Sequence, residues 1–162
     1  MNIYEYAMKL EKDGEMFYRE QINKTNNTAL KSVLTVLADS EVKHYNTLAK
    51  MKNDDKDANI ADTEVLKSAK NIFTEMKEKG DDLNLNADET SFYEEAKEIE
   101  QKAYKFYLGK AGEVENEHYK QIFMDLAEEE KKHVVLMENI IEFLSHPISW
   151  VENAEFNHMD KY

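Results

Sequence analysis

Cysteine is absent from the 162 residues, which removes disulfides, iron–sulfur clusters and thiolate zinc sites from the available chemistry. Proline occurs once and glycine four times, so little interrupts helical stretches. Basic residues are scarce beside acidic ones, 21 against 34 for a net charge of −13. Nucleic acid and anionic membrane surfaces are therefore not expected as partners, whereas divalent cations would be attracted. No apolar run approaches the roughly 20 residues of a membrane-spanning helix. The first twenty residues are charged and lack an apolar centre, so no signal peptide is expected and a cytoplasmic location is the default. What is abundant is Glu, Lys, Ala and Leu, the composition of an all-α protein, at a length that suits one well-buried domain.

One stretch stands out, Leu126-Ala127-Glu128-Glu129-Glu130-Lys131-Lys132-His133. Steps of four and three residues run through Tyr119, Phe123, Leu126, Glu130, His133, Met137, Ile140 and Leu144, the spacing of a buried helix face. Six of these positions are apolar or aromatic, and Glu130 and His133 sit in the middle of them. A buried carboxylate without a partner is costly, so the pattern calls for something that neutralises it. The same device lies 89 positions upstream, where Leu30, Leu34, Leu37, Glu41, His44, Leu48 and Met51 keep the same rhythm. Residues 4–51 set against 93–140 give thirteen identities in 48 pairs, among them Tyr4/Tyr93, Ala7/Ala96, Glu11/Glu100, Phe17/Phe106, Tyr18/Tyr107, Glu41/Glu130 and His44/His133. That density identifies an internal duplication. Two copies of a Glu followed by Glu-x-x-His, on four helices, form the ligand set of a two-metal carboxylate site in a helix bundle.

Residues 2 to about 24 read as a helix with Asn2 as N-cap and an inner stripe of Ile3, Ala7, Leu10, Gly14 and Phe17, with Glu11 flanking it. After the polar break at Thr25-Asn26-Asn27 a second, antiparallel helix is expected from about 28 to 52. From 53 to 87 the periodicity weakens, and a shorter amphipathic piece over about 63–79 carries Val65, Leu66, Ala69, Ile72, Phe73 and Met76 before Gly80 stops it. This length suits the long crossover that lets the second and third bundle helices run parallel. The third is expected over about 89–110, capped by Asp88, with the stripe Phe92, Ala96, Ile99, Ala103 and Phe106, Glu100 beside it, and Ala111-Gly112 as its end. The fourth runs from about 116 to 145 and ends near Pro147. The expected organisation is one bundle domain over 1–146 and a C-terminal packing segment, 147–162. Trp150, Val151, Phe156 and Met159 there suggest a short helix against the bundle or a second subunit.

Glu11, Glu41, His44, Glu100, Glu130 and His133 are thus brought toward one region. Fe(II) and Mn(II) accept carboxylate and neutral imidazole ligands, and two divalent ions carry the four positive charges that four carboxylates cancel. Glu and His three residues apart share one helical face, so each pair reaches a common point. Two of the carboxylates can then bridge the ions. Tyr18 and Tyr107 each follow their helix Glu by seven residues, where a phenol could bond a ligand carboxylate or serve a bound oxygen species. The plain alternative for both is core packing. Glu15 reads as an exposed residue rather than a neighbour of the site, and His118, His146 and His158 as surface.

Glu-Lys-Asp-Gly-Glu-Met-Phe-Tyr from Glu11, Glu41 with His44, Glu-Gln-Lys-Ala-Tyr-Lys-Phe-Tyr from Glu100, Glu130 with His133, and the tail Trp150-Val151-Glu152-Asn153-Ala154-Glu155-Phe156 resemble the rubrerythrin-like branch of the ferritin-like superfamily. The resemblance covers essentially the whole bundle. It implies a ferritin-like four-helix fold and a non-haem centre of two Fe ions, with Mn or Zn as alternatives. It also implies redox chemistry with hydrogen peroxide or dioxygen, fed by an external electron donor such as a rubredoxin. Here no cysteine-ligated segment supplies those electrons. Where typical rubrerythrins carry a further ligand Glu three residues after the one matching Glu100, this chain has Ala103, which leaves a 2-His/4-Glu set. A homodimer is expected. Two other functions fit the same residues: an iron-binding or storage protein with ferroxidase activity, and a non-catalytic helical bundle.

Overall fold

The computed structural model describes residues 2–60, 62–79 and 89–145. Five helices follow one another: α1 (Ile3–Ile22), α2 (Thr28–Lys52), α3 (Val65–Lys79), α4 (Thr90–Glu113) and α5 (Glu117–Ser145). No strand occurs among the described residues. None of the described helices is long and apolar enough to cross a membrane.

Local chemistry sets the starts. Asn2 accepts the amide of Glu5 at 2.8 Å, and Asn27 and Asn116, equivalent in the duplication, accept those of Leu30 at 3.0 Å and Tyr119 at 3.1 Å. Each such cap contributes about 1 kcal/mol by satisfying an amide the helix leaves open. Helix α4 starts at Thr90, next to the expected start at about 89, and Glu89 ahead of it makes no side-chain cap hydrogen bond. Its end differs from expectation, because Gly112 lies inside the last turn and the chain leaves the helix at Val114. Gly80, Asp88, Pro147, the C-terminal segment, His146 and His158 lie outside the described residues.

Helices α1 and α2 form one antiparallel hairpin, held at its ends by Arg19 to Asp39 (3.0 Å) and Lys52 to Glu5 (3.4 Å). Helices α4 and α5 form the other. The hairpins face each other with α1 antiparallel to α4, since Tyr18 meets Glu100 while Glu11 meets Tyr107. Likewise α2 runs antiparallel to α5, with Ser40 against His133 and His44 against Glu129. It follows that α2 and α4 are parallel, as the long crossover requires. Within that crossover α3 lays Val65, Leu66, Ala69, Phe73 and Met76 into one core cluster with Leu30, Val33, Leu34, Leu37, Leu136, Met137 and Ile140. A second cluster, with Leu48, Met51, Tyr107, Tyr119, Phe123 and Leu126, fills the other end. The buried polar residues of the centre lie between the two.

Both four-and-three seams are buried throughout, from Leu30 to Met51 and from Tyr119 to Leu144. The stripes of α1 and α4 are rotated from the expected ones. On α1 the buried residues are Ala7, Glu11, Tyr18 and Gln21, and on α4 they are Tyr93, Ala96, Glu100, Tyr107 and Ala111. Glu11 and Glu100 therefore occupy the middle of the buried face. Leu10, Phe17, Phe92 and Phe106 are only half-buried, and Ile99 is exposed. Those apolar residues serve the α1–α4 seam instead, where Phe17 stacks on Phe92 at 4.5 Å and Phe106 meets Tyr6 at 5.2 Å.

Candidate metal centre

Each helix of the bundle carries its charged residue inward because its neighbours on the same face are apolar. Glu41 and His44 lie between Leu37 and Leu48 on α2, and Glu130 and His133 between Leu126 and Met137 on α5. All six side chains named from the sequence meet there, none more than 4 % exposed and both histidines fully buried. They form two overlapping groups. Glu11, Glu41, His44 and Glu130 bring ligand atoms within 4.8 Å of one another, and so do Glu41, Glu100, Glu130 and His133. Glu41 and Glu130 belong to both, the position a bridging carboxylate takes.

Both histidines turn Nδ1 inward. His44 Nδ1 stands 3.2 Å from Glu130 Oε1 and 3.4 Å from Glu11 Oε2, and His133 Nδ1 stands 3.3 Å from both Glu41 Oε1 and Glu100 Oε1. The two imidazole rings lie nearly parallel, 5.9 Å apart. Among the described residues, Glu11 Oε2, Glu41 Oε1, His44 Nδ1, both oxygens of Glu130 and His133 Nδ1 are buried with no hydrogen-bond partner. Native proteins rarely leave so many inward polar atoms unmatched in one place. The same atoms are oxygen and imidazole donors of the kind that Fe(II), Mn(II) and Zn(II) accept, so the residues fit a pair of such ions.

Titration follows from the crowding. Burial and the nearby carboxylates Glu11 and Glu100 push Glu41 well above the usual carboxylate range, and Glu130 rises for the same reasons. Burial would also raise Glu11 and Glu100. It is outweighed by the facing His44 and His133 and by phenol hydrogen bonds, which lower Glu11 and bring Glu100 to about 2. Burial works against charge on the histidines, but their carboxylate neighbours raise both above 6.5. The protons that Glu41, Glu130 and the two imidazoles hold more tightly offset the charge of the crowded carboxylates. Two divalent ions with four carboxylates and neutral imidazoles would be neutral.

The tyrosines pair across the hairpins. Tyr18 Oη donates to Glu100 Oε1 at 2.5 Å and Tyr107 Oη donates to Glu11 Oε1 at 2.6 Å. Each phenol of one half thus holds the carboxylate of the other half, and burial together with these carboxylates keeps the phenol protons well above pH 10. Glu15 is engaged on the surface, with Arg19 at 2.7 Å and Lys12 at 3.1 Å, and His118 is exposed.

Two residues that sequence reasoning passed over stand behind the histidines. Ser40 Oγ lies 3.0 Å from His133 Nε2. Glu129 Oε1 lies 3.6 Å from His44 Nε2, an electrostatic contact longer than a hydrogen bond, and it accepts Thr63 Oγ1 at 2.8 Å and Thr63 N at 3.2 Å. Burial would raise Glu129, but His44 and Thr63 bring it to about 2. The signal was present: 126, 129, 133 and 136 also follow helical spacing, as do 37, 40, 44 and 47.

A cavity of about 240 Å³ opens between α1 and α4, walled by Tyr6, Leu10, Ile99 and Phe106 and ending on Glu11, Glu41, Glu100 and Glu130. Gly14 and Ala103, equivalent in the duplication, are its small residues. A Cβ on Gly14 would stand 3.1 Å from Glu41 Oε2, so the bare backbone is what admits that carboxylate.

No curated protein and no solved structure matches the chain. The model of the family described as Rubrerythrin matches residues 2–141, a span that contains both hairpins, all six inward ligand candidates and the two crossed tyrosine–glutamate pairs, and the chain belongs to that family.

Proposed function

We propose that this protein is a non-haem di-iron oxidoreductase that reduces hydrogen peroxide or dioxygen with electrons from an external carrier. The observation that carries the reading is the set of buried, unmatched carboxylate and imidazole atoms in two groups sharing Glu41 and Glu130. Glu11 and His44 would hold one ion and Glu100 and His133 the other, with Glu41 and Glu130 common to both. An iron pair held by these residues would provide two reducing equivalents for the oxidant. Reduction of one hydrogen peroxide to two waters takes two protons as well.

The chain's own residues do the rest. Tyr18 and Tyr107 each occupy one oxygen of a terminal carboxylate and thereby fix its orientation, so they are positioning residues that act through Glu100 and Glu11. The cavity beside Gly14 and Ala103 gives a molecule the size of peroxide, close to the roughly 30 Å³ of a water, a route to the carboxylates. Its apolar walls limit the water that follows. These 162 residues hold no cysteine-ligated electron carrier, and a donor of rubredoxin kind would re-reduce the ions.

Stopped-flow absorption tests the proposal. Protein loaded with Fe(II) in the absence of air and mixed with peroxide is expected to oxidise much faster than free Fe(II), with a diferric absorption band. Oxidation at the rate of the free ion overturns it.

A further inference from the structure

The two histidines are alike toward the centre and unlike behind it. His133 is backed by the neutral hydroxyl of Ser40, and His44 by the carboxylate of Glu129. Ser40 and Glu129 are equivalent positions of the duplication, each just before the Glu of its Glu-x-x-His, and both are buried, at 1 % and 4 % exposure. An imidazole that ligates through Nδ1 must carry its proton on Nε2, so the group facing Nε2 decides how strongly the ring donates. A carboxylate that accepts this proton fixes the tautomer and makes the ring more basic, and losing such a partner costs about 10–100-fold in metal affinity. Among the described residues His44 Nε2 has no other hydrogen-bond partner, and Glu129 Oε1 stands 3.6 Å from it, in place to accept the proton once Nδ1 ligates. A hydroxyl does much less.

Glu129 is also fastened in place. Both donors of Thr63 fall on its Oε1, Lys132 Nζ approaches Oε2 at 3.4 Å, and Asp62 stands 3.6 Å from the same ammonium. Thr63 belongs to the crossover just ahead of α3. The residue after it, Glu64, has φ 51°, a left-handed conformation that non-glycine residues seldom adopt. Thr63 holds Glu129 directly ahead of that residue. Among the described residues, the side-chain hydrogen bond of Ser40 is the one with His133.

We infer that the two metal positions are unequal, and that the position at His44, backed by Glu129 and Thr63, fills before the one at His133. This rests on the two-metal reading above and adds an order of loading and the residue that imposes it. Glu129 touches no ion in this scheme; it positions and polarises His44.

Histidine ring ¹⁵N spectra during a Zn(II) titration of the metal-free protein read each imidazole separately and need no turnover. The first equivalent is expected to shift His44 Nδ1 to its ligated position while His133 stays as in the metal-free protein, and the second to shift His133. In Glu129→Gln, which keeps the size of the side chain and removes its charge, the first equivalent is expected to distribute over both histidines, with the total still two. Ser40→Asp, which gives His133 a carboxylate of its own, is expected to erode the order from the other side and serves as the independent check should Glu129→Gln not fold. Simultaneous filling in the wild type, or an unchanged order in the folded variants, overturns the inference and leaves the two-metal reading standing. Saturation of the wild type below two ions rejects that reading and this inference with it.

Discussion

The halves at 4–51 and 93–140 agree at every side chain that meets at the polar centre and differ at residues standing directly behind it. Glu11 and Glu100, Tyr18 and Tyr107, Glu41 and Glu130, and His44 and His133 are identical pairs in matching places. Behind them stand Ser40 against Glu129 and Gly14 against Ala103. The inward set must satisfy one common charge balance, so a change at any member leaves a buried charge exposed to its neighbours. The backing residues act one step removed and are free to differ. The difference teaches where symmetry is imposed by electrostatics and where it is merely inherited.

The largest effect expected from breaking this comparison is at the shared carboxylates. Glu41→Ala and Glu130→Ala are each expected to abolish loading of the second ion, and to do so alike, because both residues belong to both groups. Metal content after dialysis, by elemental analysis, checks this; a variant that still holds two ions would show its carboxylate is not shared.

Next in size is the dependence on pH. In the metal-free protein Glu41, Glu130, His44 and His133 hold protons more tightly than in the unfolded chain. The native state then binds more protons, so stability must fall as pH rises. The contribution of the histidines is fully present below about 6.5 and is lost as pH climbs through their raised values. Each pH unit over which one such group is protonated only in the native state costs about 1.4 kcal/mol. The lowered Glu11 and Glu100 act oppositely, with stability present above 4.5 and lost as pH falls, for Glu100 toward about 2. Thermal melts in chelator should drop from pH 6 to pH 9. Melts of protein saturated with metal should not drop, because the same groups then hold metal in place of protons, and the protons released on loading can be counted with an indicator dye in weak buffer.

The smallest effect sharpens the comparison. Tyr18→Phe and Tyr107→Phe each remove one hydrogen bond to a charged carboxylate, worth about 1.5–3 kcal/mol. Equal losses in melting temperature are expected, since the two contacts are 2.5 Å and 2.6 Å long. A marked difference in the rate of peroxide-driven oxidation between the two variants would assign the tyrosines separate roles.

Much of this was legible in the residues. The seams of α2 and α5 were readable because apolar spacing there brackets the Glu-x-x-His pairs, and the six inward groups followed from the duplication. The faces of α1 and α4 were misjudged by part of a turn, since the apolar residues Leu10, Phe17, Ile99 and Phe106 line the seam between those helices while Glu11, Tyr18, Glu100 and Tyr107 take the interior. Hydrophobicity cannot flag a face whose buried members are polar by necessity. Glu129 stands in a run of three glutamates, where residue type does not separate it from the exposed Glu128 and only its helical spacing with Leu126, His133 and Leu136 does.

The crossed pairing of Tyr18 with Glu100 and Tyr107 with Glu11 means that neither hairpin furnishes a finished pocket alone, and that two copies of a single hairpin would close the same ring of contacts. Such a twofold pair would oblige the residue behind each imidazole to be one and the same. Joining the hairpins through α3 lifts that obligation, and a serine can then occupy one of two equivalent positions while a glutamate occupies the other.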